Sequence, residues 1–170
     1  MLNKKLFVFG LFLILVGVII LSIRYKTNVQ VVPSPSSLLT LSSNFTYAKV
    51  TRVIDGDTIV IDTGQHIRYI GMNTPELETN DCFATQAAEI NKTLVLGKEV
   101  RLEKDTSEVD KYGRLLRYVY IGNEMINDDL VKDGSARVET VPPDIKYKQE
   151  FINSEKYAKE NKLGFWSKCF

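Results

Sequence analysis

The chain has 170 residues, of which 44% are hydrophobic and 25% charged, which fits one globular domain and is too short for two domains with linkers. Its single histidine, His66, excludes a zinc site built on several histidines and leaves carboxylates, arginines and a hard metal ion for any catalysis. Four of the 22 bases and no acid lie within the first 44 residues, so the rest carries 18 bases against 21 acids, a net charge of −3 that excludes a broadly basic, DNA-coating surface.

The first predicted element is a membrane anchor. After a short tail (residues 1–5), residues 6–23 form an uncharged apolar run that as a helix spans about 27 Å, close to the hydrocarbon thickness of a bilayer. No small-residue cleavage site follows, so we predict a retained transmembrane helix; a secreted protein with a cleaved signal peptide is the alternative. The flanking charges are nearly balanced, and the short tail favours a single-pass protein with its domain on the extracellular side.

A spacer and one domain follow the anchor. Residues 24–46 are rich in serine and proline, which predicts a solvated spacer. Residues 47–170 form the predicted domain, where short β-rich runs alternate with glycine and aspartate. Strands are expected at 47–54, 57–62, 66–71, 98–104 and 115–121.

Helices are expected at 83–96, 124–132 and 147–163. The first helix places Phe83, Ala87, Ile90 and Leu94 on one apolar stripe. Five strands, with one helix inserted after the third strand and the others later, predict an α+β fold that is mainly β. The expected architecture is a small closed antiparallel barrel of the OB type.

Four short segments of the domain stand out together. They are Val53-Ile54-Asp55-Gly56-Asp57-Thr58, Arg68-Tyr69-Ile70-Gly71-Met72-Asn73-Thr74-Pro75-Glu76, Asp110-Lys111-Tyr112-Gly113-Arg114 and Gly164-Phe165-Trp166-Ser167. Each alone has an ordinary structural explanation, such as a hairpin turn, a helix start or a solvated loop. In this order and spacing they resemble the staphylococcal nuclease (thermonuclease) family, and the resemblance covers about residues 48–167.

The resemblance implies a five-stranded OB-type barrel with three helices that hydrolyses DNA and RNA phosphodiesters with Ca²⁺. The positions that match the family's metal-site residues are Asp57, Asn73 and Thr74. The positions that match its catalytic residues are Arg68, Glu76 and Arg114. Lys111 and Tyr112, which flank Arg114, are expected to help hold the nucleotide.

Elementary chemistry agrees with these roles. A carboxylate oxygen from Asp57, the amide oxygen of Asn73 and the backbone carbonyl of Thr74 are ligands that calcium accepts. Glu76 is the candidate general base for an attacking water, and forked guanidinium groups match phosphate geometry. By strand alternation, Arg68 should project from the rim of the barrel toward the site.

The sequence departs from the family's best-known members at two places. They carry an aspartate where this chain has Asn73, so we expect weaker or more permissive metal binding. They also place tyrosines in the stretch matching residues 137–143, where this chain has none and adds Glu139. Base stacking is therefore expected to be reduced, or supplied by Tyr112 or Tyr147.

Two cysteines, Cys82 and Cys169, lie in a domain predicted to be outside a membrane, which suggests one disulfide. Two unpaired thiols are the alternative. The bond would tie the C-terminal tail to the loop on the active-site side.

The leading functional hypothesis is an active nuclease. A monomer is expected, because no obligate protein partner is evident from the sequence. The alternative function is a nuclease-like module that only binds nucleic acid at the membrane. Retention of Asp57, Arg68, Glu76 and Arg114 favours the enzyme, because a module without catalysis is expected to lose one or more of them.

Overall fold

The computed structural model describes residues 45–169, which form a β-barrel with helices packed against it. The strands are β1 (Phe45–Val53), β2 (Thr58–Ile61), β3 (His66–Tyr69), β4 (Met72–Asn73), β5 (Glu99–Glu103), β6 (Leu115–Ile121), β7 (Glu124–Met125) and β8 (Arg137–Val138). The helices are α1 (Ala84–Val95), α2 (Ile126–Lys132), α3 (Lys148–Glu160) and the short α4 (Phe165–Lys168). The predicted mainly β fold, with a five-stranded barrel and three main helices, is confirmed for these residues.

Five strands close the barrel. Strand β1 pairs antiparallel with β2 and β5, β2 pairs antiparallel with β3, and β5 pairs antiparallel with β6. The barrel closes where β3 lies beside β6, and this pair is parallel. The prediction of an antiparallel barrel is therefore wrong at this seam. The connection from β3 to β6 contains α1 and β5, which is long enough to return the chain in the same direction.

The predicted helix over residues 124–132 is wrong in its first turn. Residues Glu124–Met125 form β7 and pair with the end of β6, with Gly122 in the connecting turn, so α2 begins only at Ile126. A further pair, β4 with β8, places Asn73 opposite Arg137. Strands of two residues show no periodicity, which is why the sequence pattern did not reveal them.

The buried face of α1 differs from the predicted apolar stripe. Ala84, Ala87, Asn91 and Val95 are buried, whereas the predicted members Ile90 and Leu94 are only partly buried. The centre of the buried face is thus a polar residue, Asn91, which hydrophobic periodicity cannot detect.

The apolar core lies in two clusters. The larger fills the barrel and the contacts of α1 and α2 with it, and includes Ile59, Ile67 and Leu102. The smaller lies beneath α3, where Phe151 packs with Tyr118. Each fully buried side chain of this size stabilises the fold by about 1.5–3 kcal/mol relative to exposure.

Two glycines meet where the end of α2 crosses the turn between α3 and α4. A Cβ atom on Gly164 would lie 2.1 Å from the carbonyl oxygen of Gly134, and one on Gly134 would lie 2.4 Å from that of Leu163. The backbone N–H of Phe165 donates to the carbonyl of Gly134 at 3.0 Å. This close backbone contact fixes the C-terminal segment to the rest of the domain.

Within residues 45–169, no helix is long and apolar enough to cross a membrane. The predicted anchor at residues 6–23 and nearly all of the predicted spacer lie outside the described residues.

Replacing Gly164 by alanine tests the backbone crossing. The added Cβ would overlap the Gly134 carbonyl, and φ at Gly164 is +51°, so we expect a loss of about 3 kcal/mol or more in the free energy of unfolding. Gly122→Ala is the matched control: its φ is +61°, but nothing lies within 4 Å of the place that a Cβ atom would take, so about 1 kcal/mol should be lost. Denaturant titration measures both, and equal losses would contradict the close contact.

Candidate active site

Asp57 lies at the centre of the candidate site, immediately before β2. It is only 4% exposed. Its Oδ1 accepts a hydrogen bond from the Thr58 hydroxyl (3.0 Å), and its Oδ2 accepts from the backbone N–H (3.0 Å) and hydroxyl (3.3 Å) of Thr74. Arg68 adds an ion pair to Oδ2. Because a buried carboxylate needs charge pairing and hydrogen bonds, these contacts fix the position of Asp57.

Arg68 joins two of the predicted metal ligands. Its Nη1 pairs with Asp57, and its Nη2 donates a 2.5 Å hydrogen bond to Oδ1 of Asn73. Thr58 lies opposite Arg68 in the β2–β3 register, so the two side chains share one face of the barrel. Burial lowers the pKa of the Arg68 guanidinium, and Arg114 lowers it further, but an arginine still remains charged at neutral pH.

Thr74 packs against the turn that precedes Asp57. A Cβ atom on Gly56 would lie 2.6–2.8 Å from three side-chain atoms of Thr74, so this close approach requires glycine. The sequence predicted a role for the Thr74 backbone carbonyl. The structure shows a different contribution, because the N–H and hydroxyl of Thr74 orient the Asp57 carboxylate.

Asn91 links α1 to the two segments that carry Asp57 and Arg68. It is fully buried; its Oδ1 accepts from the Tyr69 hydroxyl (3.0 Å) and its Nδ2 donates to the Asp55 carbonyl (3.1 Å). Burial raises the pKa of the Tyr69 hydroxyl far above its usual value, so this group stays a donor. The Asn91 side chain therefore fixes Tyr69 and Asp55, and with them the segments that carry Arg68 and Asp57, relative to each other.

Arg114 lies just before the start of β6 and is oriented by Asp110. Its Nε donates to Oδ2 of Asp110 (2.6 Å), and its backbone N–H donates to Oδ1 (3.0 Å). Burial acts to raise the pKa of Asp110, but hydrogen bonds from Arg114 and from the Tyr112 N–H, together with the charge of Arg114, outweigh it, and the pKa is lowered. Nη1 of Arg114 also lies 3.5 Å from the Thr58 hydroxyl, which donates to Asp57. Both arginines thus connect to Asp57, Arg68 directly and Arg114 through Thr58.

The loop before Arg114 presents an aromatic ring. Tyr112 is 71% exposed, and the Lys111 amino group and Arg114 guanidinium lie 4.9 and 5.4 Å from its ring centroid. Cations at these distances are attracted to the face of the ring. The three residues therefore form one mixed aromatic and basic surface.

A cavity of about 500 Å³ is bordered by both arginines and by Lys111 and Tyr112. The structure thus brings together four of the predicted catalytic and substrate-binding residues around one space. Glu139 borders the same cavity, and its charge acts to raise the pKa of Arg68 against the effect of burial.

Tyr147 does not border the cavity. Its hydroxyl donates to the buried carboxylate of Glu103 at 3.1 Å, and its ring packs edge-on against Tyr118 with centroids 4.6 Å apart. Of the two tyrosines considered for base stacking, only Tyr112 borders the cavity.

Glu76 lies on an exposed loop after Thr74 and Pro75. Its charge acts to raise the pKa of Arg68, which puts its carboxylate within electrostatic reach of that guanidinium. Among residues 45–169, the structure shows no hydrogen bond between the Glu76 side chain and Asp57 or Arg68. The structure therefore brings Glu76 to the edge of the site without joining it to the other members.

Cys82 and Cys169 form a disulfide, with Cα atoms 5.9 Å apart, as the sequence suggested. The bond connects the segment just before α1 to the residue that follows α4.

The sequence reasoning missed four positioning groups, one of which is the Asn91 amide. Thr58 bridges Asp57 and Arg114, Asp110 orients Arg114, and Asp55 accepts the Asp57 backbone N–H at 3.0 Å. Burial raises the pKa of the Asp55 carboxyl, and Arg68 opposes this shift. Asp55 and Asp110 stood inside the quoted segments, and their polar type was the available signal; the Thr58–Arg114 contact joins residues 56 positions apart and had none.

Comparison with known proteins identifies the family of this chain. The family model described as "Staphylococcal nuclease homologue" matches residues 66–168. A thermonuclease of Staphylococcus hyicus is 38% identical over 165 residues, which cover 93% of this chain and 96% of the relative. A thermonuclease of Staphylococcus intermedius is 39% identical over 126 residues (70% and 75% of the two chains), and Endonuclease YncB of Bacillus subtilis is 43% identical over 126 residues (69% and 60%).

The barrel with its arginine-lined cavity and these matches define a nuclease of the OB-fold type. The chain belongs to the staphylococcal nuclease homologue family. The predicted family and the predicted enzyme class are both confirmed.

Substitution of Asn91 tests its positioning contacts. Asn91→Leu leaves the buried Tyr69 hydroxyl and Asp55 carbonyl without their partner, so we expect a loss of about 3 kcal/mol in the free energy of unfolding. Tyr69→Phe removes one of the two contacts and should cost about 1 kcal/mol. Denaturant titration measures both variants; a leucine variant as stable as the wild type would show that these hydrogen bonds contribute little.

Proposed function

We propose that the protein is a calcium-dependent phosphodiesterase that hydrolyses DNA, RNA or both. The observation that carries this proposal is the pair of guanidinium groups at one buried carboxylate. Arg114 lowers the pKa of Arg68, so the two positive charges repel each other while both border the same cavity. A phosphodiester would relieve this repulsion, and guanidinium forks match its oxygens.

The residues present are suitable for a calcium ion. Asp57 and Asn73 turn hard oxygens toward one positively charged group, the Arg68 guanidinium, so these oxygens already converge on a cation. Among residues 45–169, no three or more histidine, cysteine, aspartate and glutamate side chains cluster as a metal site, and the proposed set combines a single carboxylate with an amide oxygen and a backbone carbonyl. We propose that Asp57, Asn73 and the Thr74 carbonyl would hold calcium, which when bound would supply positive charge near the phosphoryl oxygens.

The protein's own residues supply the remaining chemistry. Glu76, exposed at the edge of the site, would accept a proton from the attacking water or orient it. Arg68 and Arg114 would stabilise the negative charge that grows on the phosphoryl oxygens in the transition state. Asp110 and Thr58 hold Arg114 in place for this role.

The substrate would lie in the cavity with a base against Tyr112. The ring is exposed and flanked by Lys111, which favours contact with a nucleotide. Because the domain as a whole carries more acids than bases, we propose that the strand is held locally at the site instead of along a basic face.

The cellular placement is proposed from the sequence. Residues 6–23 would anchor a single-pass membrane protein with its nuclease domain, a monomer, on the extracellular side. The alternative is a secreted enzyme released by signal cleavage. A disulfide fits either placement, because such bonds persist in oxidising compartments.

Replacement of Glu76 by glutamine tests the proposed base. We expect kcat for cleavage of single-stranded DNA to fall by about 10²–10⁴-fold, with little change in substrate binding, because proton transfer is lost while the cavity is unaltered. Glu78→Gln is the matched control, an exposed acid on the same loop that should have little effect. Chelation of calcium should abolish cleavage by the wild type.

Two results would contradict the mechanism: cleavage that persists without calcium, or a Glu76→Gln variant as active as the wild type. A wild type that binds oligonucleotides without cleaving them would support the alternative of a binding module.

Substitution at Asn73 tests its place beside the metal. Asn73→Asp adds a carboxylate to the set, so we expect calcium affinity to rise about tenfold, and Asn73→Ala should lower it by removing an oxygen ligand. Calorimetric titration of calcium into each variant gives the affinities. Equal calcium affinity for all three proteins would place residue 73 outside the metal site.

A further inference from the structure

The loop that carries Glu76 has few contacts with the body of the domain. Residues 76–82, here called the Glu76 loop, are all exposed. Asp81 organises the loop internally: its Oδ2 accepts from the Glu76 N–H (3.1 Å) and its Oδ1 from the Thr79 hydroxyl (2.7 Å). The Asp81 N–H donates back to the Glu76 carbonyl at 3.1 Å. The loop is thus a compact unit closed on itself.

The noncovalent contacts that hold the Glu76 loop to the domain are weak. Leu77 borders a groove beside α1 and Ile54, but 37% of it remains exposed. Asn80 and Phe83 have positive φ values of 54° and 72°, a conformation that L residues with a Cβ adopt only at an energetic cost. Phe83 is also the N-cap of α1 and provides no side-chain cap. Such a backbone persists only where other contacts hold it.

The Cys82–Cys169 disulfide supplies a covalent hold at the end of this loop. Cys169 directly follows α4, whose first residue, Phe165, is 4% exposed and donates its N–H to Gly134. The Gly134–Gly164 crossing described above fixes the same segment. A continuous covalent and packed connection therefore runs from the domain body through α4 to the Glu76 loop.

We propose that the Cys82–Cys169 disulfide positions Glu76 for catalysis, so that the enzyme is fully active only in its oxidised form. This inference rests on the proposed function. Arg68, Arg114 and Asp57 are held by hydrogen bonds and strand pairing that do not involve the disulfide. Loss of the bond should therefore release the general base and leave the phosphate-binding part of the site in place.

The redox step is ordinary thiol exchange. Cys82 is exposed, so a thiolate of a dithiol reductant can attack its Sγ, which breaks the bond to Cys169, releases the Cys169 thiolate and forms a mixed disulfide with Cys82. The second thiol of the reductant then displaces the remaining cysteine thiolate. The products are two protein thiols and the oxidised cyclic reductant, which has supplied two electrons.

The test uses the purified full chain in a mild non-ionic detergent, with calcium and single-stranded DNA. We expect reduction by dithiothreitol to lower kcat about tenfold while KM stays within about twofold, since a misplaced base slows chemistry but not binding. The double variant Cys82→Ser, Cys169→Ser should match the reduced wild type and should not respond to dithiothreitol. Hydrogen exchange should accelerate at residues 76–83 and 165–169, with the barrel strands unchanged.

If the Cys82–Cys169 disulfide only stabilises the fold, the reduction experiment gives different results. An unchanged kcat with both thiols shown to be free, or a fall in activity that follows the fraction of unfolded chain, would overturn the inference while leaving the proposed nuclease intact. No cleavage by the oxidised wild type would instead overturn the proposed function, and this inference with it.

Discussion

The organisation of the site depends on one buried ion pair, between Asp57 and Arg68. A carboxylate that is 4% exposed is stable only with compensating charge and hydrogen bonds, and Thr58, Thr74 and Arg68 provide them. The same contacts place Arg68 between Asp57 and Asn73. Thr58 on β2, Arg68 on β3 and Thr74 from the following segment all contact the Asp57 carboxylate. The position of each therefore depends on the others.

The strand pairing of the barrel brings these side chains together. The β2–β3 pairing sets Thr58 opposite Arg68, and the parallel β3–β6 pairing brings the start of β6, with Arg114 just before it, to the same end of the structure. Asn91 then secures the site from the side of α1. The proposed general base is attached differently, because Glu76 lies on an exposed loop whose hydrogen bonds are largely within the loop itself. The structure thus combines a hydrogen-bonded group around Asp57, in which we propose that the arginines bind phosphate, with a separately attached loop that carries the proposed base.

Much of the fold was predictable from local patterns. Strand β6 was predicted with its observed bounds, and α1 and α3 were predicted within a few residues of theirs, because apolar periodicity and glycine punctuation are strong there. Local patterns did not predict the two-residue strands β4 and β8 or the parallel pairing of β3 with β6. The pairing register between distant segments leaves no local pattern in the sequence. The candidate site residues were proposed from the order of four segments that resemble the family. Thr58 and Asn91 were missed because their roles exist only once distant residues meet.

We propose that the paired side chains of Asp57 and Arg68 act as one unit in phosphodiester cleavage. A double-mutant cycle on kcat/KM, with Asp57→Asn, Arg68→Lys and both together, tests it most directly. If the two residues form one functional unit, each single variant should lose most of the activity and the double variant should be little worse than either. Losses that multiply in the double variant would show that the two side chains contribute independently, and would contradict this account.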